Sequence, residues 1–506
     1  MIRLAIPNTA AVTWTPLIWR FAFGVWRFAF PPATFRRVLL ICFLASASAP
    51  LMADDLAQRH AALDRGYANQ LEELAVWCDR QGLKGEAAAT RSWIAPQEPL
   101  TLMLALPADT TAAPTDRPAG EWSARFEKLR QAQGQALYDM ALSAAEESEF
   151  ALAFQWAHAV LREDPDHAAA RKLLGYKQHE GRWLTQFEYN KARSNQTWHP
   201  RFGWLPRKQV ARYEAGDRFH QGRWISADED ARLHADMEHA REIATEHFQL
   251  HTDCGLEEAV ALAARLEEFY GVWRQVFVRF VFSEEQLARL FREGKPLSRR
   301  SRSHQVTCFR DRKEYNAALI GEYPNIDATR GFYLGRAKTA YLFAGPEQDV
   351  DNVYHEVTHQ LFYETSTVVD VGPKANFWVV EGIACFAESY RRANQVAVLG
   401  GADAWRLKNA RVRLLRDGFY IGLAELCELG MQALQAHGQL KEVYSEASGL
   451  TYFLLFAEEG RYRRALIDYL AAVYANRDRP DTLATLTETS FSKLDEQYQH
   501  FIRNLP

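Results

Sequence analysis

The chain has 506 residues, of which 48% are hydrophobic and 25% charged, so it is long enough for two or three ordinary domains and is not a disordered protein. A formal net charge of -4 gives no electrostatic reason to expect a nucleic acid or an anionic membrane surface as a partner. The six cysteines lack Cys-x-x-Cys spacing, which excludes a zinc ribbon and a thioredoxin-like motif and implies no disulfide framework.

The first 53 residues predict an N-terminal extension and a signal peptide. Arg36 and Arg37 precede an apolar run over 38–44, which passes into small residues and then into Asp54 and Asp55. This order is typical of a secretory signal. Because the apolar run is too short to cross a bilayer, we expect no stable membrane span and an exported protein, periplasmic or extracellular.

Two helical regions follow. Residues 54–120 predict a helical segment and a linker rich in Pro, Ala and Thr, and residues 121–178 predict a helical repeat-like domain. Within it, 126–174 reads as three consecutive helices, and the break at 163–166 resembles a tetratricopeptide repeat boundary. An ordinary helical hairpin is the alternative. These helices are a possible binding site for a protein partner.

Residues 179–244 contain a repeated Gly-Arg-Trp phrase. It occurs at 181–183 and again at 222–224, with Gly203 and Trp204 between the two copies. Each glycine supplies a turn and each tryptophan packs the short extended module that follows, so the pattern predicts structural connector modules. The alternative is a binding surface made of exposed tryptophans.

From residue 245 the pattern changes to alternating strands and helices. The pattern predicts, in order, a strand at 247–252, a helix at 255–280, a strand at 305–310, a helix at 312–319, and strands at 331–336 and 339–344. This order predicts a small mixed sheet immediately ahead of the next motif.

That motif is His355-Glu356-Val-Thr-His359. Residues four apart share a helix face, so His355 and His359 can hold one metal ion while Glu356 reaches its rim. The flanking residues are apolar and predict a buried helix, in which histidines without a ligand would be costly. The alternative is a solvated helix that carries two histidines.

A catalytic zinc site has three protein ligands and leaves one position to water. Glu381, in Trp378-Val-Val-Glu381-Gly-Ile-Ala at the start of a second predicted helix, is the expected third ligand. Two imidazoles and one carboxylate favour Zn2+ over magnesium or calcium. Glu388, two turns further on, is expected to orient a ligand imidazole, and Cys385 is expected to be a small core residue.

These motifs carry a family resemblance. His355-Glu-Val-Thr-His-Gln-Leu-Phe and Trp378-Val-Val-Glu-Gly-Ile-Ala resemble the gluzincin zinc metallopeptidases, whose aminopeptidase N branch has His-Glu-x-x-His-Gln-x-Phe and Trp-Leu-Asn-Glu-Gly-Phe-Ala. The arrangement is more similar still to exported bacterial proteins with a peptidase-MA-like domain. The resemblance covers 245–506. It implies a gluzincin catalytic domain with a small mixed-sheet lobe, an open sheet edge for an extended substrate, and a helical C-terminal lobe.

The resemblance also implies a role for Tyr444. Tyr444-Ser-Glu-Ala-Ser-Gly is similar to the aminopeptidase segment Tyr-Glu-Lys-Gly, whose tyrosine faces the zinc. By this resemblance Tyr444 stabilises the oxyanion of the tetrahedral intermediate. The alternative is that Tyr444 only packs against a helix start.

The predicted fold class is therefore α+β and mostly helical, with the tetratricopeptide-like region first and the gluzincin domain after it. The predicted function is an exported zinc metallopeptidase in which zinc-activated water attacks the peptide bond and Glu356 is the general base. One alternative is a non-catalytic helical scaffold with a structural zinc lobe. A hydrolase of a non-peptide substrate is another.

One segment indicates whether the enzyme recognises the free N-terminus of its substrate. Aminopeptidases of the resembling branch capture the free amine with a glutamate on the strand before the zinc helix. The equivalent segment here, 331–344, has Arg336 and Lys338 but no carboxylate, which favours an endopeptidase. Glu347 and Asp349, in the loop that follows, remain alternative anchors for an amine.

Overall fold

The computed structural model describes residues 35–96, 98–106, 120–297, 303–366, 368, 370–393 and 396–506, with side chains from residue 56 onward. Met1–Asp55 and Leu56–Pro506 form separate compact units, and every element given below lies in the second except the beginning of α1. The predicted signal peptide at 1–53 and most of the predicted linker lie outside the residues whose side chains are described. Within the described part of the chain, no helix is both long and apolar enough to cross a membrane.

Helices dominate the N-terminal part of the chain. The elements are α1 (Phe35–Arg80), α2 (Lys84–Trp93), β1 (Thr101–Ala105), α3 (Glu121–Glu146), α4 (Phe150–Glu163) and α5 (Ala168–Leu173). The three helices predicted over 126–174 are confirmed. Ala141 and Ala144 on α3 and Ala153 and Ala157 on α4 have no exposed surface, because small side chains at these positions let the two helices pack closely.

Three hairpin-and-helix modules come next. Their elements are β2 (Lys177–His179), β3 (Arg182–Leu184), α6 (Gln186–Arg193), β4 (Gln196–His199), β5 (Gly203–Pro206), α7 (Val210–Glu214), β6 (Asp217–His220), β7 (Arg223–Ser226) and α8 (Ala227–Leu233). Each pair of strands is antiparallel. The turn residues Gln221 and Gly222 have φ of 46° and 85°, as a tight hairpin turn requires. The predicted turns are confirmed, and Trp183 packs inside with 5% of its surface exposed.

A five-stranded mixed sheet follows. Its region contains β8 (Arg241–Ala244), β9 (Phe248–Thr252), α9 (Leu256–Val276), α10 (Val278–Val281), α11 (Glu284–Glu293), β10 (His304–Phe309), α12 (Arg312–Leu319), β11 (Phe332–Leu334) and β12 (Thr339–Phe343). The strand order is β11-β12-β10-β9-β8. β10 is parallel to β9 and β12, whereas β8 and β11 are antiparallel edges. The predicted mixed sheet is confirmed, although β8 and α11 were not predicted.

The rest of the chain is mostly helical. Its elements are α13 (Val350–Thr365), α14 (Trp378–Ala387), β13 (Arg391–Ala393), β14 (Val396–Gly400), α15 (Trp405–Leu415), α16 (Leu423–Glu428), α17 (Met431–Gln435), α18 (Leu440–Phe456), α19 (Arg463–Val473), α20 (Thr482–Thr487) and α21 (Phe491–Arg503). The hairpin β13–β14 interrupts the run of helices expected after Glu388. β14 also pairs with β1, so Thr101 lies opposite Gly400.

The fold is mixed α+β and mostly helical, as predicted. One continuous apolar core joins the sheet to the C-terminal helices, with Trp273, Leu361 and Trp378 among its members, and α13 and α14 run through it. The predicted boundaries at residues 120, 178 and 244 fall inside the compact unit and stay predictions.

Candidate metal centre

Helix α13 divides its residues between the core and a polar site. Asp349 caps its first turn by accepting a hydrogen bond from the Asp351 amide at 3.2 Å, which satisfies a donor left free at the helix start. Val353, Val357 and Leu361 are at most 4% exposed. The predicted helix is confirmed. One face of the helix packs into the core, and His355 and His359 project together from another face.

Helix α14 begins at a turn that Asn376 fixes. Asn376 has a φ of 59° and no exposed surface, and its side chain accepts a hydrogen bond from the Tyr469 hydroxyl at 2.6 Å and donates one to Asp478 at 2.8 Å. Asparagine tolerates this left-handed conformation better than most residues. The ten residues from Trp378 to Ala387 are all buried, so Glu381 enters the interior.

Gly382 lets a second helix approach this ligand. A Cβ at Gly382 would lie 2.6 Å from Thr451 Oγ1 and 2.7 Å from the Ala447 carbonyl oxygen, both on α18. Only glycine allows so close an approach of two helices here. α18 also carries Tyr444, so this contact brings the tyrosine toward Glu381.

The three predicted ligands converge on one point. His355 Nε2 lies 3.2 Å from His359 Nε2, and each nitrogen lies 3.5 Å from Glu381 Oε2. Donor atoms about 2.0–2.2 Å from a tetrahedral zinc ion are themselves about 3.3–3.6 Å apart. The observed spacings therefore fit zinc, and the donor set of two imidazoles and one carboxylate suits it.

The electrostatics of the cluster favour a cation. Burial disfavours a charged His355, yet its interactions with Cys385, Glu381 and Glu388 raise its pKa well above the ordinary value. Burial also opposes ionisation of Glu381, but His359 and His355 hold the pKa of that carboxyl well below its usual range. The carboxylates of this buried site therefore favour a positive charge beside them, which a metal ion could also supply.

Glu388 fixes the orientation of one ligand. Its Oε1 lies 2.8 Å from His355 Nδ1, so that nitrogen donates to the carboxylate and Nε2 is left for a metal. The predicted role of Glu388 fits this contact. Cys385 is 1% exposed, as expected for a core residue, but its thiol also interacts with His355.

Glu356 lies at the open edge of the sheet. Its Oε2 accepts a hydrogen bond from the Tyr333 amide of β11 at 2.8 Å. Gly331, just before β11, makes this approach possible, since a Cβ there would lie 2.9 Å from Glu356 Cγ. The carboxylate expected to act as the base therefore lies between the ligand helix and the edge strand.

Tyr444 lies beside the ligands. Its pKa is raised, first by burial, then by the charges of Glu381, Cys385 and Glu356, and also by an interaction of the hydroxyl with Glu381. It therefore stays a hydrogen-bond donor at neutral and moderately alkaline pH. The arrangement brings Tyr444 to the site as the resemblance implied.

A second tyrosine, which no sequence motif indicated, lies near the site. Tyr474 is 1% exposed, and its hydroxyl has no hydrogen-bond partner among the described residues. Burial raises its pKa, and the charges of Tyr363 and Glu381 add to the effect. Tyr474 lies ninety-three residues after Glu381, so no local sequence pattern could predict that the two are close in the fold.

Arg336 and Lys338, the two cations of segment 331–344, lie in the turn that follows the edge strand. β11 ends at Leu334, so Arg336 and Lys338 belong to the hairpin turn. Arg336 pairs with Glu322 and donates to the Tyr323 hydroxyl at 2.6 Å. The predicted strand to residue 336 is therefore too long, because the tight turn, with Lys338 at a φ of 51°, begins earlier.

The alternative amine anchors are occupied. Asp349 caps α13 and lies 3.4 Å from Arg330, and Glu347 lies 3.6 Å from Arg312.

No protein-family model and no curated protein matches this chain, so its geometry is the basis for assigning a function.

Proposed function

We propose that this chain is an exported zinc-dependent metallopeptidase of the gluzincin type, with His355, His359 and Glu381 as ligands. The observation that carries the proposal is the spacing of the three donor atoms, 3.2 and 3.5 Å, beside the Glu356 carboxylate, which is not one of the three predicted ligands and lies at a sheet edge. A structural zinc site has no use for that carboxylate, which argues against a non-catalytic scaffold.

The zinc ion, when bound, supplies a Lewis acid and a water that ionises near neutral pH. Glu356 takes the proton from the attacking water and later gives it to the leaving nitrogen. The Tyr444 hydroxyl donates a hydrogen bond to the substrate oxygen as negative charge develops there. Glu388 keeps the His355 ring in its orientation throughout the cycle.

The substrate is a peptide or protein bound in extended form. β11 is an edge strand, and edge strands present backbone groups with which an extended chain can pair. The Tyr333 amide of β11 donates to Glu356, so a substrate that pairs there exchanges that hydrogen bond for its own. The two loop acids nearest the strand already have partners, Arg330 for Asp349 and Arg312 for Glu347. Segment 331–344 itself has no carboxylate that could anchor a free α-amine, which supports an endopeptidase. The N-terminal helices are a proposed site for a protein partner.

Elemental analysis tests the metal assignment. We expect one zinc per chain in the wild type and none in the variant with both His355→Ala and His359→Ala. His437→Ala is the control, because this histidine lies outside the site. Its Nδ1 accepts a hydrogen bond from the nearby Gln439 amide. Full zinc occupancy in the double variant would refute the assignment.

A further inference from the structure

His355 belongs to two groups of potential metal ligands. One group is His355, His359 and Glu381, and the other is His355, Cys385 and Glu388. The two groups use the same imidazole, with Nε2 toward Glu381 and Nδ1 toward Glu388. Something in the fold must decide which group binds the ion.

Arg406 distinguishes the two groups. It lies in the first turn of α15, and its Nε donates to Glu388 Oε2 while its Nη2 donates to Glu388 Oε1, both at 2.7 Å. This is the bidentate geometry in which an arginine binds a carboxylate most strongly. Glu388 is 4% exposed, so little solvent screens the pair.

Two consequences follow from this contact. The guanidinium already neutralises the charge of Glu388 and binds both of its oxygens. Glu388 is therefore a poor metal ligand, and the second group is a poor metal site. The carboxylate is also fixed in the orientation in which Oε1 faces His355 Nδ1 at 2.8 Å. Nε2 is then the nitrogen left for an ion.

We propose that Arg406 is a positioning residue that assigns His355 to the group with His359 and Glu381. It acts through Glu388 and touches none of the proposed ligands' metal-facing atoms. The inference rests on the proposed function, because it concerns the same metal centre. Only an arginine offers the planar pair of donors that this contact uses, so a lysine can keep the charge but not the geometry.

The experiment measures zinc affinity by competition with a chelator. We compare the wild type with Arg406→Gln and Arg406→Lys. Loss of a residue that hydrogen-bonds a ligand imidazole costs about tenfold to a hundredfold in metal affinity. Because Arg406 acts through Glu388, we expect the lower end of that range, about tenfold, for Arg406→Gln and a smaller loss for Arg406→Lys. The control is Arg413→Gln, which removes another arginine of α15 that pairs with carboxylates, with Asp417 at 2.9 Å and with Glu442 at 3.4 Å.

A second readout needs no metal. In the metal-free protein, the Nδ1 proton of His355 should give a downfield, slowly exchanging NMR signal, assigned by its loss in His355→Gln. We expect Arg406→Gln to shift or broaden this signal and Arg413→Gln to leave it unchanged. If Arg406→Gln does not fold, Arg406→Lys decides the matter by both measurements.

Wild-type zinc affinity with an unshifted Nδ1 signal in a folded Arg406 variant would overturn the inference. Its failure is distinguishable from failure of the proposed function. Peptide cleavage with no effect of Arg406 on zinc defeats the inference alone. Zinc binding that depends on Arg406, without cleavage of any peptide, defeats the proposed function alone.

Discussion

Replacing Gly331 by alanine tests how closely the edge strand must approach the proposed base. A Cβ at this position would lie 2.9 Å from Glu356 Cγ and 2.6 Å from Asn352 Nδ2. The Asn352 amide is the end of a flexible side chain and can rotate away. Ordinary contact starts at 3.4 Å, so Glu356 Cγ must retreat by about 0.5 Å.

The expected loss of activity follows from that displacement. A misplacement of about 1 Å in an active site can cost about a hundredfold in rate. A displacement of about 0.5 Å should therefore lower kcat roughly tenfold. Zinc content should not change, because the side chains nearest a Cβ at Gly331 are Asn352, Glu356 and Leu342, and none of them is a proposed ligand. The assay measures kcat and KM on an internally quenched peptide, with zinc content and Tm measured on the same samples.

Gly335→Ala is the matched control, since it lies in the same hairpin. A Cβ there would lie 3.4 Å from Tyr363 Cε1, an ordinary contact. We expect it to keep wild-type kcat. Full activity in Gly331→Ala, or equal losses in both variants, would refute the argument from close approach.

Three further predictions address the remaining residues. Tyr444→Phe should slow turnover by about a hundredfold to a thousandfold with little change in KM, and a fully active variant would move the oxyanion role to another residue, with Tyr474 the first to test. Acetylating the N-terminus of quenched peptides should leave cleavage intact, whereas stepwise release of single residues from free peptides only would indicate an aminopeptidase. Burial, which outweighs the hydrogen bond from the Ile421 amide, raises the pKa of Glu446 to about 8. The folded state therefore keeps a proton that the unfolded state loses, stability falls between about pH 4.5 and 8, and Glu446→Gln should raise Tm at pH 8 but little at pH 4. Equal shifts at both values would contradict this.

The ligand helices could be predicted because their signal is local. His355 and His359 share a helix face by spacing alone, and the apolar residues between them identify the buried side. Glu388 follows Glu381 by about two turns, so its approach to the same site also follows from helical periodicity.

Other features depend on contacts that no local pattern encodes. The pairing of β1 with β14 joins residues 101–105 to residues 396–400, which are far apart in the sequence. β13 has only three residues, too few to show the alternation of a strand. Arg406 and Tyr474 reach the site through the packing of α15 and the end of α19, and both have ordinary sequence surroundings. The early end of β11 follows from the left-handed Lys338 in its turn.

The central claim is that zinc held by two histidines and Glu381 works with Glu356 to cleave peptide bonds. The most direct measurement compares cleavage products from a complex proteome treated with the zinc-loaded wild type and with zinc-loaded Glu356→Gln. We predict new peptide termini with the wild type only, with about one zinc per chain in both proteins. The same products from both proteins, or no cleavage by the zinc-loaded wild type, would contradict the claim.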